Sequence, residues 1–177
     1  MNSLIVTIDS KDINELRRLY DASFPDDERI PFDRVLSSLS QDRIMRAYYD
    51  EDNLVGLTVV FLCDDLAYLS YICVEENIRH KGYGSQIIEC IKEVYKDYRI
   101  VLDIEELIKG SDNYIERVKR KEFYLNNGFK ESGVFYYFYH VNYELLVWNG
   151  EIFKEDWQKI IEKHWGKIAK KAIYKTK

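Results

Sequence analysis

The alternation of apolar and polar positions divides the first third of the chain into short strands and amphipathic helices. An apolar run predicts a strand over residues 4–8, and apolar residues at helical spacing predict a helix over residues 12–24. Two prolines interrupt the pattern in "FPDDERIPF", and a second short helix is predicted over residues 32–39. The segments "RIMRAYYD" and "LVGLTVVFL" predict an antiparallel hairpin, because the turn-forming residues "DEDN" join them.

A strand–helix–strand unit follows in the centre of the chain. The apolar run "LAYLSYICV" predicts a strand, and apolar residues on one face predict a helix over residues 84–98. The segment "RIVLDI" returns as a strand over residues 99–104. A helix over residues 114–126 comes next, with Gly128 as its left-handed stop. The aromatic segment "GVFYYFYHVNYELLVW" then predicts two strands, and a last helix covers residues 153–174.

This order of elements, βααβββαβαββα, predicts an α+β fold. The sheet is expected to be mixed and mostly antiparallel, with a central parallel βαβ unit and flanking helices. A chain of 177 residues is most simply one domain, residues 1–177, of which residues 151–177 form a C-terminal helical extension. The apolar stripe of that extension is expected to pack on the sheet or on a second subunit, so a homodimer stays open, and a membrane-surface helix is the less favoured alternative.

Composition and charge narrow the classes of function. A net charge of −5 argues against a general nucleic-acid binder and fits a cationic substrate. The 3 cysteines have no CxxC spacing, so neither a metal site nor a disulfide framework is predicted, and buried free thiols are the expectation. The N-terminal segment "MNSLIVTIDSKD" turns polar too early for a signal peptide or a membrane span. A cytoplasmic protein is therefore expected.

The loop between the third strand and its helix, "VEENIRHKGYGSQ", carries the most specific chemistry. It places Arg79, His80 and Lys81 beside Gly82 and Gly84, where the helix begins. Helix N-termini attract anions, and glycines allow the backbone to approach a ligand closely. The segment is therefore either a seat for a phosphate or a turn with solvated charges. It has neither the Gly-Lys-Ser/Thr triplet of a P-loop nor the GxGxxG fingerprint of dinucleotide-binding folds.

Two motifs in this order resemble the GNAT-type N-acetyltransferases. Residues 79–84, "RHKGYG", fit the family's Arg/Gln-x-x-Gly-x-Gly/Ala pattern, and residues 123–129, "FYLNNGF", fit its aromatic-Tyr pair before Asn-Gly-Phe. The order of elements also resembles the family fold along nearly the whole chain. The resemblance implies acetyl-CoA as co-substrate, with its pyrophosphate on the loop and its pantetheine arm and acetyl carbonyl on the end of the preceding strand. The implied cofactor-binding residues are Ile72, Cys73, Val74, Arg79, His80, Lys81, Gly82, Tyr83, Gly84, Ser85 and Asn113.

Candidate catalytic residues follow from the same resemblance. Tyr124 matches the family's tyrosine beside the thioester sulfur, a candidate general acid, although it is equally a candidate core aromatic. Asp103 matches an acidic position of some members by its Leu-x-Ile frame, and Glu105 shares its strand face. Either carboxylate, or a water relay, is a candidate for the base that deprotonates the amine.

The sequence gives a less specific signal for the binding site of the acceptor amine. In such folds the "FPDDERIPF" loop borders the acceptor pocket, so Phe24, Asp27, Glu28 and Phe32 suit an amine on an apolar body, but they equally suit a capping loop. The expected substrate is a small-molecule or peptide amine. The alternatives are a non-catalytic CoA-thioester binder of the same fold, and a plain phosphate- or nucleotide-binding domain.

One departure from the family pattern lies before the motif tyrosine. The extra stretch "LIKGSDNYIERVKR" lengthens the connection from the preceding strand. The basic residues on the predicted helix either reach the cofactor's phosphates or form a solvated face. These residues are Arg117, Lys119, Arg120 and Lys121.

Overall fold

The computed structural model describes residues 1–24 and 29–175. The chain falls into two compact units, which are described separately. The first comprises Met1–Phe61 and Leu69–Val94, and the second comprises Leu62–Tyr68 and Tyr95–Lys177. The expectation of a single domain over residues 1–177 stays a prediction. No helix within the described ranges is long and apolar enough to cross a membrane.

The first unit contains an antiparallel sheet and three helices. Its strands are β1 (Asn2–Ile5), β2 (Arg43–Asp50), β3 (Asn53–Cys63, up to Phe61) and the second part of β4 (Leu66–Val74). Its helices are α1 (Ile13–Ser23), α2 (Phe32–Ser37) and α3 (Tyr83–Val94). Ile87, Ile88 and Ile91 of α3 are almost fully buried, as the helical spacing of apolar residues predicts.

The second unit begins with the first part of β4. Leu66–Tyr68 pair in parallel with β5 (Arg99–Glu105), which pairs on its other side with the antiparallel β7 (Val141–Trp148). Strand β6 (Lys130–Phe138) lies between β7 and a short last strand, β8 (Ile173–Lys175). The helices of this unit are α4 (Tyr114–Asn126) and α5 (Lys154–Trp165).

The strand order is β1-β2-β3-β4-β5-β7-β6-β8, so the predicted α+β class and the parallel pair of the βαβ unit are confirmed. Strand β4 and helix α4 have the predicted bounds, and Gly128 has the predicted left-handed conformation, with φ of +79°. Helix α3 ends at Val94, earlier than predicted, because the chain turns between Tyr95 and Tyr98.

The predicted helix over residues 153–174 is only partly correct. Helix α5 ends at Trp165, because Gly166 adopts a positive φ of +56° that does not continue an α-helix. A 3₁₀ helix over Gly166–Lys171 follows, and the chain then adds β8 to the edge of β6. The C-terminal extension is therefore a helix followed by a strand.

Candidate functional site

The basic loop lies wholly in the first unit and leads directly into α3. A 3₁₀ turn over Glu76–Ile78 follows β4, and the amide of Arg79 closes it by donating to the carbonyl of Glu76. His80 and Gly82 have positive φ angles of +65° and +87°. Helix α3 then starts, with the carbonyl of Gly82 accepting from the amide of Gln86 at 3.1 Å.

The space around Gly82, directly before the first turn of α3, is open. A Cβ atom added to Gly82 meets no heavy atom within 4 Å, so its positive φ rather than lack of space favours glycine there. The amides of Tyr83, Gly84 and Ser85 have no partner inside the helix, because the first amides of every α-helix lack one. These amides and the helix dipole can hold an anion.

Two side chains of the loop fix its backbone. The hydroxyl of Tyr83 donates to the carboxylate of Asp50 at 2.6 Å, which ties the start of α3 to the end of β2. The Nε atom of Arg79 donates to the carbonyl of Val74 at 3.3 Å. His80 and Lys81 are exposed. The predicted cofactor residues from Arg79 to Ser85 therefore form one loop that leads into the first turn of α3.

The end of β4 carries the other three predicted cofactor residues of this unit, Ile72, Cys73 and Val74. The amide of Glu75, directly after them, donates to the carbonyl of Val55 on β3 at 3.0 Å. Cys73 is buried, and burial raises the pKa of its thiol to about 11. The thiol of Cys73 is therefore not a reactive group at neutral pH.

Sequence analysis missed Gly56, which allows β3 to approach this end of β4. A Cβ atom at Gly56 would lie 2.5 Å from the carbonyl oxygen of Cys73 and 2.6 Å from Cδ1 of Ile87. An apolar strand pattern gives no signal for such a contact, although a lone glycine inside a strand often marks a close approach.

Of the four predicted acceptor residues, the structure describes Phe24 and Phe32, whereas Asp27 and Glu28 lie outside the described residues. The two rings pack on Tyr20, with centroids at 5.3 and 5.6 Å. Tyr71 of β4, which sequence analysis did not select, contacts both Tyr20 and Phe24, with centroids at 5.1 and 4.9 Å. Phe24 and Phe32 are therefore part of one aromatic cluster.

In the second unit, Asp103 is bonded by two tyrosines from other strands. Tyr68 of β4 donates to its Oδ1 at 2.7 Å, and Tyr136 of β6 donates to its Oδ2 at 2.6 Å. Burial raises the pKa of Asp103, while both hydrogen bonds act in the opposite direction because they favour the charged form. The carboxyl group thus has a raised proton affinity and neutral partners.

Glu105 differs from Asp103 because its partners are cationic. Arg117 and Arg120 of α4 form ion pairs with it, at 2.7 and 3.1 Å. The amide group of Asn113 donates to the same carboxylate at 3.3 and 3.4 Å, and its oxygen accepts from Arg117 at 2.6 Å. The extra stretch before Tyr124 is therefore tied to the end of β5 through Glu105.

Lys121 is also paired within this unit. It forms ion pairs with Glu131 of β6 and with the buried Glu144 of β7. Of the two alternatives for the basic residues of α4, contact with the cofactor's phosphates or a solvated face, neither describes Arg117, Arg120 and Lys121 in this structure, because their charges are paired with carboxylates of the sheet.

Tyr124 lies on the same helix and is buried, with contacts to the rings of Phe123 and Phe129. Burial raises the pKa of its hydroxyl to about 12, Arg120 lowers it, and the charge of Asp103 raises it. Within residues 1–24 and 29–175, its hydroxyl makes no hydrogen bond. This group is therefore a buried phenol that keeps its proton at neutral pH.

Comparison with known proteins gives a family match in sequence. Residues 41–131, just over half of the 177 residues, match the family model described as an acetyltransferase (GNAT) domain. This range contains the basic loop, Asp103 and Tyr124. Among curated proteins, none matches the chain.

Solved structures share the fold. A GNAT-family protein from Bacteroides thetaiotaomicron is 18% identical, with a TM-score of 0.78 over 94% of this chain and 99% of that one. The aminoglycoside 6'-N-acetyltransferase from Enterococcus faecium is 18% identical, with a TM-score of 0.63 over 84% and 96%. A GNAT family acetyltransferase from Elizabethkingia anophelis with acetyl-CoA bound is 14% identical, with a TM-score of 0.60 over 84% and 97%.

Proposed function

Because this chain belongs to the GNAT family of acetyltransferases, we propose that it transfers the acetyl group of acetyl-CoA to a primary amine, by direct attack in a ternary complex. The observation that carries the proposal is the loop of residues 79–85. The positive φ at Gly82 and the first amides of α3, which have no partner inside the helix, would form an anion-binding site, and the loop fits the family's cofactor pattern.

The residues of the first unit would hold the co-substrate. The pyrophosphate would accept hydrogen bonds from amides between His80 and Ser85, and Lys81 would add a charge-assisted contact. The pantetheine arm would lie along the backbone of Ile72, Cys73 and Val74. Bound acetyl-CoA supplies an activated thioester. Backbone N–H groups at the end of β4 would stabilise the charge that develops on its carbonyl oxygen. As the family resemblance implies, Asn113 of the second unit would also contact the pantetheine arm.

Tyr124 would donate a proton to the leaving thiolate. With a pKa of about 12 it remains protonated at neutral pH, so the proton is available when the thiolate forms. This role rests on the family motif "FYLNNGF" and on the burial of the residue.

For the base that deprotonates the amine, we favour Asp103 over Glu105. Glu105 is occupied by N–H donors of two arginines and of Asn113, whereas Asp103 has neutral hydroxyl partners and a raised pKa. A carboxylate whose pKa is raised towards neutrality is a better base at physiological pH. In this assignment Glu105 has a structural role, because its ion pairs hold α4 at the end of β5.

For the acceptor, a primary amine on an apolar body suits the ring of Phe24 and the carboxylates of Asp27 and Glu28. Phe32 is 2% exposed, so it would support this cluster through Tyr20 rather than touch the substrate. Because a solved protein of the same fold is an aminoglycoside 6'-N-acetyltransferase, tobramycin belongs in the first screen, beside spermidine and a peptide with a free N-terminal alanine. Each of these carries a primary ammonium group.

The first test is calorimetric titration with acetyl-CoA, with ATP as competitor. Gly82→Glu should abolish binding, because it places a carboxylate in the anion-binding site and strains a positive φ. Gly110→Glu is the matched control, since Gly110 also has a positive φ, of +92°, and open space around it. Binding that ATP does not match, and that only Gly82→Glu removes, supports the proposal.

If the protein did not bind acetyl-CoA, or if Gly82→Glu bound it equally well, the loop would not be the binding site for the pyrophosphate. If binding is confirmed, Tyr124→Phe separates an enzyme from a non-catalytic binder. It should retain acetyl-CoA affinity within a factor of about three while losing about 10–100-fold in turnover of an accepted amine. If the unmodified protein acetylates none of the amines tested, the binder of CoA thioesters becomes the better description.

A further inference from the structure

We propose that Tyr68 and Tyr136 are positioning residues, which hold the carboxylate of Asp103 in one orientation for its role as base. The three residues are called the Asp103 bracket. The role of the bracket in catalysis rests on the proposed function, whereas its hydrogen bonds are independent of that function. Neither tyrosine belongs to the motifs that identify the family.

The bracket joins three strands of the second unit through a single carboxylate. Tyr68 binds Oδ1 from β4, and Tyr136 binds Oδ2 from β6, so each oxygen has one hydroxyl donor. A carboxylate has about four acceptor positions, so two hydrogen bonds fix its plane and still leave lone pairs for a proton or a water molecule. Rotation about χ2 of Asp103 would break both bonds.

Aromatic packing fixes the two tyrosine rings in turn. Trp157 of α5 lies edge-on to Tyr68, with centroids 4.8 Å apart, and contacts Tyr136 at 5.5 Å. Tyr143 stacks on Tyr136 at 5.1 Å. Both bracket tyrosines are about 95% buried, and a buried tyrosine hydroxyl is fixed by the partner it bonds. The hydroxyl groups are therefore directed at Asp103 by the core around them.

The groups that face Asp103 electrostatically come from several elements. Tyr68 and Tyr136 donate to it, and the charge of Asp103 in turn raises the pKa of Tyr124 on α4. Glu105, two residues along β5, is matched by Arg117 and Arg120. The two tyrosine hydrogen bonds, together with a smaller contribution from a backbone hydrogen bond, favour ionised Asp103 against the effect of burial.

The test compares Tyr136→Phe and Tyr68→Phe, which each remove one hydroxyl and keep the ring. Titration of the Asp103 carboxyl carbon by ¹³C NMR, with the signal assigned by its loss in Asp103→Asn, needs no substrate. In each variant the midpoint should rise by about one pH unit, because a hydrogen bond to the charged form is lost. Tyr137→Phe is the control on the same strand, since that hydroxyl contacts His140.

The kinetic arm uses acetyl-CoA with tobramycin and with spermidine. The acid limb of kcat/KM should move upward by the same interval as the NMR midpoint, with KM for acetyl-CoA unchanged within about twofold. A merely structural role would lower the rate without moving the limb. An unchanged midpoint in both variants, or a limb that survives in Asp103→Asn, would overturn the proposal.

The two arms also separate this proposal from the function beneath it. If neither amine is acetylated but the NMR midpoints shift, the bracket exists and the catalytic proposal fails. Should Tyr136→Phe not fold, as judged by circular dichroism, Tyr68→Phe decides the outcome by itself.

Discussion

Gly56 is the single residue on which the geometry of the β4 end depends most directly. Any side chain there meets the backbone oxygen of Cys73 at 2.5 Å, a distance that requires the strand to move. We expect Gly56→Ala to lower the free energy of unfolding by about 2–3 kcal/mol, as overpacking does in other cores, and to weaken acetyl-CoA binding with it. Urea unfolding and calorimetry measure the two effects.

The control for Gly56 is Gly110→Ala. Its added methyl group has no neighbour within 4 Å, and it carries only the strain of a positive φ, about 1 kcal/mol. If Gly56→Ala lost no more stability than Gly110→Ala, the strands β3 and β4 would be able to move apart at little cost. Gly56 would then not determine the geometry at the end of β4.

The cysteines should differ in reactivity. Burial raises the pKa of Cys73 to about 11, so at pH 8 about one thiol in 1,000 is ionised. Cys90, on α3, is half-exposed. We expect iodoacetamide to label Cys90 in the folded protein and to leave Cys73 unmodified, as read by peptide mass spectrometry. Labelling of Cys73 as fast as Cys90 would contradict the burial of the β4 end.

At the scale of elements, Arg99 holds together three segments of the second unit. Its guanidinium makes two hydrogen bonds to Asp65, at 2.7 and 2.8 Å, in the turn before β4. It also donates to Asp156 of α5 at 3.0 Å and to the carbonyl of Glu151 at 2.7 Å. The start of β5 is thereby linked to both neighbouring segments.

This cluster gives a pH-dependent contribution to stability. The hydrogen bond from Arg99 lowers the pKa of Asp65, and for Asp156, where burial raises the pKa, the bond from Arg99 makes the net shift downward. Groups with a lowered pKa in the folded state stabilise it above their unfolded value of about 3.9, and the contribution is lost as the pH falls through the folded pKa.

We therefore expect Arg99→Gln to cost about 1–2 kcal/mol at pH 7, allowing for solvent screening of the exposed Asp65. The difference from the unmodified protein should shrink as the pH falls below about 4. Urea unfolding at pH 7 and pH 3 measures it. Arg17→Gln, which breaks the more exposed pair with Asp33, should cost less than Arg99→Gln, because solvent screens that pair. A difference that grows on acidification would contradict this account.

The C-terminal elements show which part of the fold local sequence could predict. Helix α4 has the predicted bounds because its apolar spacing and Gly128 act locally. The residues after Gly166 continue a helical pattern, yet after a 3₁₀ helix the chain forms β8 over Ile173–Lys175, whose pairing partners in β6 lie far away in sequence. Only the tertiary contact favours strand there, so spacing alone predicted a longer helix.

The same distinction applies to the candidate site. The basic loop was predictable because its glycines, its charges and the helix start are adjacent in sequence. The Asp103 bracket was not, since its tyrosines stand 35 and 33 residues away from the carboxylate, in a chain with 15 tyrosines. Its geometry arises from strand order, which a single sequence does not specify.

At the scale of the whole molecule, the net charge and the local charge of the loop have opposite effects on the affinity for acetyl-CoA. The chain has 31 acidic and 26 basic residues and a net charge of −5, which repels an anionic co-substrate. Arg79 and Lys81 in the loop attract it. Because short-range attraction dominates over distant repulsion in salt, we expect the Kd for acetyl-CoA to rise about 3–10-fold between 50 and 500 mM NaCl.

The double variant Arg79→Gln/Lys81→Gln should flatten this salt dependence, whereas Lys11→Gln, far along the sequence from the loop, should leave it unchanged. Calorimetry at three salt concentrations is sufficient. A Kd that falls with added salt would mean that the overall negative charge, rather than the loop, governs the encounter with the co-substrate.

Trp157 makes the core around Asp103 visible to spectroscopy. It is one of 3 tryptophans, is 1% exposed, and its indole N–H has no hydrogen-bond partner among the residues that the structure describes. Such an indole fluoresces at short wavelength, and the adjacent rings of Tyr68 and Tyr136 pass excitation energy to it. Since a charge near an indole shifts its emission, we expect the fluorescence of Trp157 to follow the ionisation of the carboxylate that both tyrosines bond.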